Sequence, residues 1–260
     1  MPVVDLSLEG KVALITGGSK GIGRSTALAY AEHGADVAIA ARGQEALEAT
    51  VKEIEARGRR ALGVVTDVGS QADLEKLYGQ TVKELGGVDI LVNNAAQIEF
   101  GEIADVTAES FERLMRINLF SALRLSQLCR QSMQQRGGGV VINVASDEFL
   151  RPSVGVGAYP MTKIGLVLLT KQLAQEWGAD KIRAVCIVPG LVRTEIAQEA
   201  VDLIEGSPET VLNPLGNRVG EPEEIAGFML IAASPAGGYL NGGHIIVDGG
   251  TQSLAPVKVV

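Results

Sequence analysis

Tyr159 and Lys163 stand four residues apart at the opening of a helical stretch. On a helix that spacing places both on one face, a turn apart. Ser146 lies thirteen residues before Tyr159, just after an apolar run over 140–145 that reads as a buried strand. A loop that returns its hydroxyl to the phenol would bring phenol, ammonium and hydroxyl together at a strand end. Such a group can give a proton to a carbonyl oxygen. A phenol ordinarily titrates near pH ~10, and a neighbouring ammonium favours the phenolate. Tyr-x-x-x-Lys also recurs by chance on exposed helices, so the rest of the chain must supply a hydride.

The amino-terminal part supplies a place for one. A strand over 11–16 runs into Gly17-Gly18-Ser19-Lys20-Gly21-Ile22-Gly23, followed by a helix over 24–32. Backbone N–H groups and a helix N-terminus behind a glycine loop cradle phosphate. The Gly-x-x-x-Gly-x-Gly spacing differs from the usual Gly-x-Gly-x-x-Gly fingerprint, and a tight structural turn is the competing reading. After a second strand, over 36–40, an acid would bind the ribose 2′-hydroxyl of NAD. Here Ala40-Ala41-Arg42 follows. Arg42, helped by Lys20, suits a 2′-phosphate and hence NADP(H); the alternative is two exposed surface charges.

Three further positions fit the same cleft. Asp67 ends a strand over Ala61–Val65, placed to accept an adenine amino hydrogen bond, or else to cap the helix starting near Gln71. Asn93-Asn94-Ala95-Ala96 follows a strand over 88–92 and either lines the cleft or braces neighbouring loops. Asn118 falls inside a helical run that starts at Thr107, between Ile117 and Leu119-Phe120. Asn is a poor helix former that usually faces solvent, but those neighbours also admit a buried polar role.

These elements need a scaffold. Helical stretches over 44–57, 71–85, 107–136, 159–177 and 222–233 alternate with strands over 140–145, 182–188 and 244–247. Pro160 sits at the start of its helix, where a missing N–H costs nothing. The alternation predicts a single α/β domain over residues 1–260, a parallel sheet with helices on both faces. Residues 191–220, broken by Ser207-Pro208 and Asn213-Pro214, read as a substrate lid, and 256–260 as a loosely ordered tail.

Composition narrows the class. Hydrophobic residues make up 46% and aromatics 4%, so the core is aliphatic. A net charge of −8 argues against a general nucleic-acid or anionic-membrane surface. Arg57-Gly58-Arg59-Arg60 reads as a solvated helix end. No apolar run approaches membrane-span length. Cys129 and Cys186 lie far apart without a Cys-x-x-Cys, which points to no metal or disulfide and to the reducing cytoplasm. The N-terminus lacks the basic-then-apolar order of a signal peptide. His33 and His244 fit no catalytic pattern and read as structural.

Taken in order, Thr16-Gly17-Gly18-Ser19-Lys20-Gly21-Ile22-Gly23, Asn93-Asn94-Ala95-Ala96, Asn118, Ser146, Tyr159-x-x-x-Lys163 and the stretch from Pro189-Gly190 to Thr194 resemble the landmarks of the short-chain dehydrogenase/reductase family. The resemblance spans about residues 7–252. It implies a Rossmann-type, doubly wound sheet of about seven strands, a nicotinamide cofactor and a homotetramer or homodimer. By the same resemblance Tyr159 donates and accepts the proton, Lys163 lowers its pKa and holds the nicotinamide ribose, Ser146 orients the substrate oxygen, and Asn118 holds a water linking Lys163 to solvent. The cofactor site would comprise Gly17, Ser19, Lys20, Gly21, Ile22, Gly23, Arg42, Asp67, Val68, Asn94, Ala95, Tyr159, Lys163, Pro189, Gly190, Val192 and Thr194. Asn-Asn-Ala-Ala replaces the family's Asn-Asn-Ala-Gly, so Ala96 adds a methyl there. The stretch over 93–139 is also similar to NADPH-dependent carbonyl reductases of the retinal-reductase kind, whose peroxisomal C-terminal tripeptide is not matched by Lys258-Val259-Val260.

The expected reaction is hydride exchange between NADP(H) and a small-molecule carbonyl/secondary-alcohol pair. Ser146, Glu148 and Tyr159 are the expected substrate contacts, with Gln97, Ile98, Asp147, Phe149 and 195–217 around them. Candidate substrates are a 3-oxoacyl thioester, a retinoid or aromatic ketone, a keto-sugar and a steroid. The competing functions are an NAD-linked alcohol, sugar or steroid dehydrogenase, and a catalytically silent NADPH-binding protein.

Overall fold

The strands explain the layers. In Val12–Thr16 (β1), Val12 and Leu14 face one way and Ala13 and Ile15 the other, and the same alternation runs through the sheet. Both faces are apolar, as a parallel sheet covered on both sides requires. The computed structural model describes residues 4–206, 213–216 and 218–253.

Seven parallel strands form one sheet in the order β3-β2-β1-β4-β5-β6-β7: β1, Asp36–Ala41 (β2), Ala61–Val65 (β3), Ile90–Asn93 (β4), Gly139–Val144 (β5), Ile182–Pro189 (β6) and His244–Val247 (β7). Helices Gly21–Glu32 (α1), Gln44–Glu55 (α2) and Pro222–Ala233 (α8) cover the face carrying Ala13, Ile15, Ile39, Val92 and Ile142. Helices Gln71–Leu85 (α3), Ser121–Gln135 (α5) and Tyr159–Trp177 (α6) cover the face carrying Leu14, Ala38, Leu91 and Val141. This is the expected doubly wound Rossmann-type fold. Strand order reverses between β1 and β4, and ligands bind such sheets outside the carboxyl ends at that reversal.

Local signals set the boundaries. The Ser70 hydroxyl accepts from Asp73 N at 3.3 Å and caps α3, so the alternative of Asp67 as its cap is corrected. Gly86, left-handed at φ 91°, ends that helix. Glu221 and Glu224 form a capping box around Pro222 at the start of α8. The helical run from Thr107 is divided into Ala108–Met115 (α4), a π turn over Arg116–Phe120, and α5. α1 begins at Gly21, earlier than expected, and β4 starts at Ile90, two residues later than the apolar run suggests.

The Arg57 to Arg60 cluster is not a freely solvated helix end. Arg60 Nη2 lies 2.7 Å and Arg59 Nη2 3.3 Å from the Asp36 carboxylate, and Arg57 pairs with Glu32. It clamps the start of β2 to the turn before β3. The expected lid holds Gln198–Glu205 (α7). The Ser207-Pro208 break and the tail at 256–260 lie outside the described residues.

Candidate active site

Every landmark element ends at the carboxyl edge of the sheet. After β1, the glycine loop folds tightly against the loop after β4. A Cβ on Gly17 would lie 2.7 Å from Asn94 Nδ2, and one on Gly23 would lie 2.1 Å from the Gly17 carbonyl oxygen. No side chain fits at either place. Gly21 adopts φ +50°, and its missing Cβ would meet the Thr194 methyl at 2.9 Å. The N-terminus of α1 has no side-chain cap and no acidic residue in its first turn. Its first N–H groups are therefore available to an anion, with the helix dipole favouring one.

Thr16 joins the two loops. Its hydroxyl accepts from Asn94 N and Ala95 N, each at 3.0 Å, while Asn94 Nδ2 donates to Thr16 O at 2.9 Å and Gly17 O at 3.2 Å. Asn94 thus braces the glycine loop while Ala95 lies at the cleft. Behind it, Asn93 Nδ2 donates to Asn143 Oδ1 at 2.8 Å, and Asn143 Nδ2 to Thr170 Oγ1 at 2.9 Å. This buried polar line ties β4 to β5 and β5 to α6. Sequence reasoning missed Asn143 and Thr170; a polar residue inside the apolar run of β5 was the available signal.

The other expected cofactor residues share this edge, with differing exposure. Arg42 is exposed and has no ion-pair partner among the described residues. Lys20 Nζ lies 2.7 Å from Glu195 Oε2. Asp67 is exposed, its Oδ1 accepting from Gly69 N at 2.9 Å. Ile22 and Val68 direct apolar surface to the two cores, so any polar contact they make is through the main chain. Pro189 ends β6 beside Val247, and a Cβ on Gly190 would lie 2.8 Å from Asp248 Cα. Val192 is buried and pairs with Gly220, so the two ends of the 191–220 segment meet. Ser19 lies in the glycine loop, its carbonyl accepting from the Thr50 hydroxyl at 3.4 Å.

The side chains expected to react meet at β5 and α6. Lys163 is 2% exposed, donates to Val144 O at 2.9 Å, and stands 5.3 Å from the centre of the Tyr159 ring. Burial pulls its ammonium down to about 8, offset in part by Cys186. Burial pushes the Tyr159 phenol well above its ordinary value; a hydrogen bond with Ser146 opposes this, and the Glu148 and Asp147 carboxylates add to it. These surroundings hold Tyr159 in its protonated, donor form.

Asn118 is 2% exposed, which decides for the buried role. Its Nδ2 donates to Gln97 O at 2.8 Å and Thr162 Oγ1 at 3.0 Å, and its Oδ1 accepts from Gln97 N at 2.8 Å. The Thr162 hydroxyl in turn donates to Tyr159 O at 2.7 Å. Asn118 thus fixes the loop after β4 to the first turn of α6. The π turn that carries it also departs from the regular helical carbonyl ladder, a feature common at functional sites. Glu148 accepts from Ser153 N at 2.7 Å and Ser153 Oγ at 2.8 Å, so it braces the 147–153 loop while its charge reaches Tyr159. Asp147 is buried beside Ser146, and burial followed by Glu148 pushes its carboxyl up to about 6. His33 Nδ1 donates to Ala29 O at 2.8 Å, and His244 meets Phe149 edge-on at 6.0 Å; neither contact involves Ser146, Tyr159 or Lys163.

The short chain dehydrogenase pattern matches residues 11–203. This chain belongs to the short-chain dehydrogenase/reductase family. It is 36% identical over 248 residues to dehydrogenase/reductase SDR family member 4 of Oryctolagus cuniculus, covering 95% of both chains. It is similar to L-sorbose reductase from Gluconobacter frateurii complexed with NADPH and L-sorbose, with TM-score 0.89, 30% identity, and 96% and 100% of the two chains covered. It is also similar to a 7 alpha-hydroxysteroid dehydrogenase complexed with NADH and 7-oxo glycochenodeoxycholic acid, with TM-score 0.89, 32% identity, and 94% and 95% covered. The chain is thus an oxidoreductase of a family that binds nicotinamide cofactors and acts on alcohol and carbonyl groups.

Proposed function

We propose that this short-chain dehydrogenase/reductase transfers hydride reversibly between NADP(H) and a carbonyl/secondary-alcohol pair, with Tyr159 as proton donor and acceptor. The observation that carries the reading is the convergence of Tyr159, Lys163 and Ser146 after β5, on the same carboxyl edge of the sheet as the uncapped helix N-terminus that follows β1. When bound, NADPH supplies the hydride. The Ser146 and Tyr159 hydroxyls donate hydrogen bonds to the substrate oxygen, stabilising the charge that develops there. Tyr159 then gives its proton to that oxygen. Lys163, held by Val144 O, stabilises the phenolate left behind. In the oxidative direction the phenolate takes the alcohol proton. Asn118 positions the loop of Gln97 and the start of α6.

Arg42 and Lys20, with no acid at the end of β2, support NADP(H) over NAD(H). Lys163 and Tyr159 also suit contact with the nicotinamide ribose. Ser146, Tyr159 and Glu148 are the proposed substrate contacts, with 191–220 as the covering segment. Exposed apolar side chains support a homotetramer or homodimer: Phe120, Met161 and Leu168 on the π turn and α6, and Phe228 and Ile231 on α8. Among the described residues no helix is long and apolar enough to cross a membrane. The test is consumption of reduced nicotinamide across ketones, aldehydes and 3-oxoacyl thioesters, with NADPH and NADH in parallel. Turnover led by NADPH supports the reading. Preference for NADH would return it to an NAD-linked dehydrogenase, and tight NADPH binding without turnover to a silent binding protein.

A further inference from the structure

The two cations offered to a 2′-phosphate are not equivalent. Arg42 is exposed and free of ion pairs among the described residues. Lys20 is already engaged, its Nζ 2.7 Å from Glu195 Oε2. Glu195 opens the short turn Glu195–Ala197 that leads into α7, so the bond joins the phosphate loop to the base of the lid. A second contact marks the same meeting: the Thr194 methyl fills the space that a Cβ on Gly21 would take, at 2.9 Å. The Glu195 backbone is therefore held close to the loop, not brought there by one flexible side chain.

We infer that Glu195 is a specificity-determining residue for the cofactor, an internal carboxylate that competes with the 2′-phosphate for Lys20. The inference rests on the reading that the cofactor carries a 2′-phosphate. For Lys20 to reach that group, its bond to Glu195 must open, or Glu195 must remain beside a second anion. Either outcome weakens binding of the phosphorylated cofactor and leaves NADH untouched, because NADH makes no demand on Lys20. The coupling is reciprocal. A 2′-phosphate that takes Lys20 releases Glu195.

The experiment is calorimetric titration of NADPH and NADH into the wild-type chain, Glu195→Gln, Lys20→Met and the double variant. Both side chains are exposed, so folding is not at stake. The expected result is that Glu195→Gln tightens NADPH by about two- to fivefold, the scale of an exposed ion pair, leaves NADH unchanged, and has no effect in the Lys20→Met background. Glu195→Asp, which keeps the charge, should stay near wild type. No gain for NADPH, an equal gain for both cofactors, or a gain that survives Lys20→Met would overturn the inference. A wild-type chain that binds NADH as tightly as NADPH would instead remove the 2′-phosphate reading on which it stands, and that shows before any variant is made.

Discussion

Asp147 is the residue at which the site works against stability. Its carboxyl is buried beside Ser146 and faces Glu148 and Asp248, with Gln252 Nε2 at 3.5 Å as its side-chain hydrogen-bond partner. Its folded-state pKa of about 6 lies above the unfolded value of about 4. A raised value favours the protonated fold, so this contribution is complete below pH ~4 and is lost as pH rises through about 6. A difference of that size between folded and unfolded chain corresponds to about 3 kcal/mol. Asp147→Asn should therefore be more stable than wild type by on the order of 1–3 kcal/mol at pH ~8 and equal to it near pH ~4. Urea unfolding at the two pH values checks this; a gain of the same size at both would show that charge is not the cause. Around it, the meeting of Tyr159, Lys163 and Ser146 was legible because type, spacing and order all point one way. Asn118 is ambiguous in sequence because sequence does not show a π turn, and the turn is what directs it inward.

At the scale of elements, burial periodicity was the readable signal. The apolar runs of β1, β2, β6 and β7 and the helices α6 and α8 emerge close to their expected bounds because each is bounded by glycine, proline or a polar cap. What escaped were tertiary ion pairs. The clearest is Asp89 before β4, 2% exposed, which accepts from Val12 N at 2.8 Å and pairs with Arg136 at 2.7 Å and Lys11 at 3.8 Å. It ties β1, β4 and the end of α5 together at the edge of the sheet opposite the site. Nothing local in Gly-Gly-Val-Asp announces this, since its partners are distant in sequence. Asp89→Ala should cost about 2–4 kcal/mol of unfolding free energy while leaving cofactor affinity in the remaining folded protein unchanged. Thermal and cofactor titrations together check this; weakened cofactor binding without destabilisation would contradict the division between scaffold edge and site edge.

The whole molecule presents apolar surface that its own core does not use. Phe120 is 46% and Leu168 59% exposed, on helices that otherwise pack against one face of the sheet. Scattered exposed apolar residues are ordinary, but a contiguous patch marks an interaction surface. If that face joins two copies, Leu168→Glu together with Phe120→Glu should shift sedimentation towards a smaller species and leave the circular dichroism of the fold unchanged. An unaltered sedimentation coefficient would exclude this face as the interface. The alternation of strands and helices announced the α/β fold; the location of the patch required the fold, because it draws Phe120 from the π turn before α5 and Met161 and Leu168 from α6.

The proposed reaction turns on one proton, given by Tyr159. The most direct measurement compares the wild-type chain with Tyr159→Phe, reading kcat/KM for the best ketone and, separately, NADPH affinity. The expected result is a loss of about 10²–10⁴-fold in kcat/KM with NADPH affinity falling by no more than about tenfold, the scale of the one hydrogen bond the phenol would give the ribose, since the ring, Lys163 and the glycine loop all remain. Turnover that persists in Tyr159→Phe would contradict the assignment of Tyr159 as the proton donor.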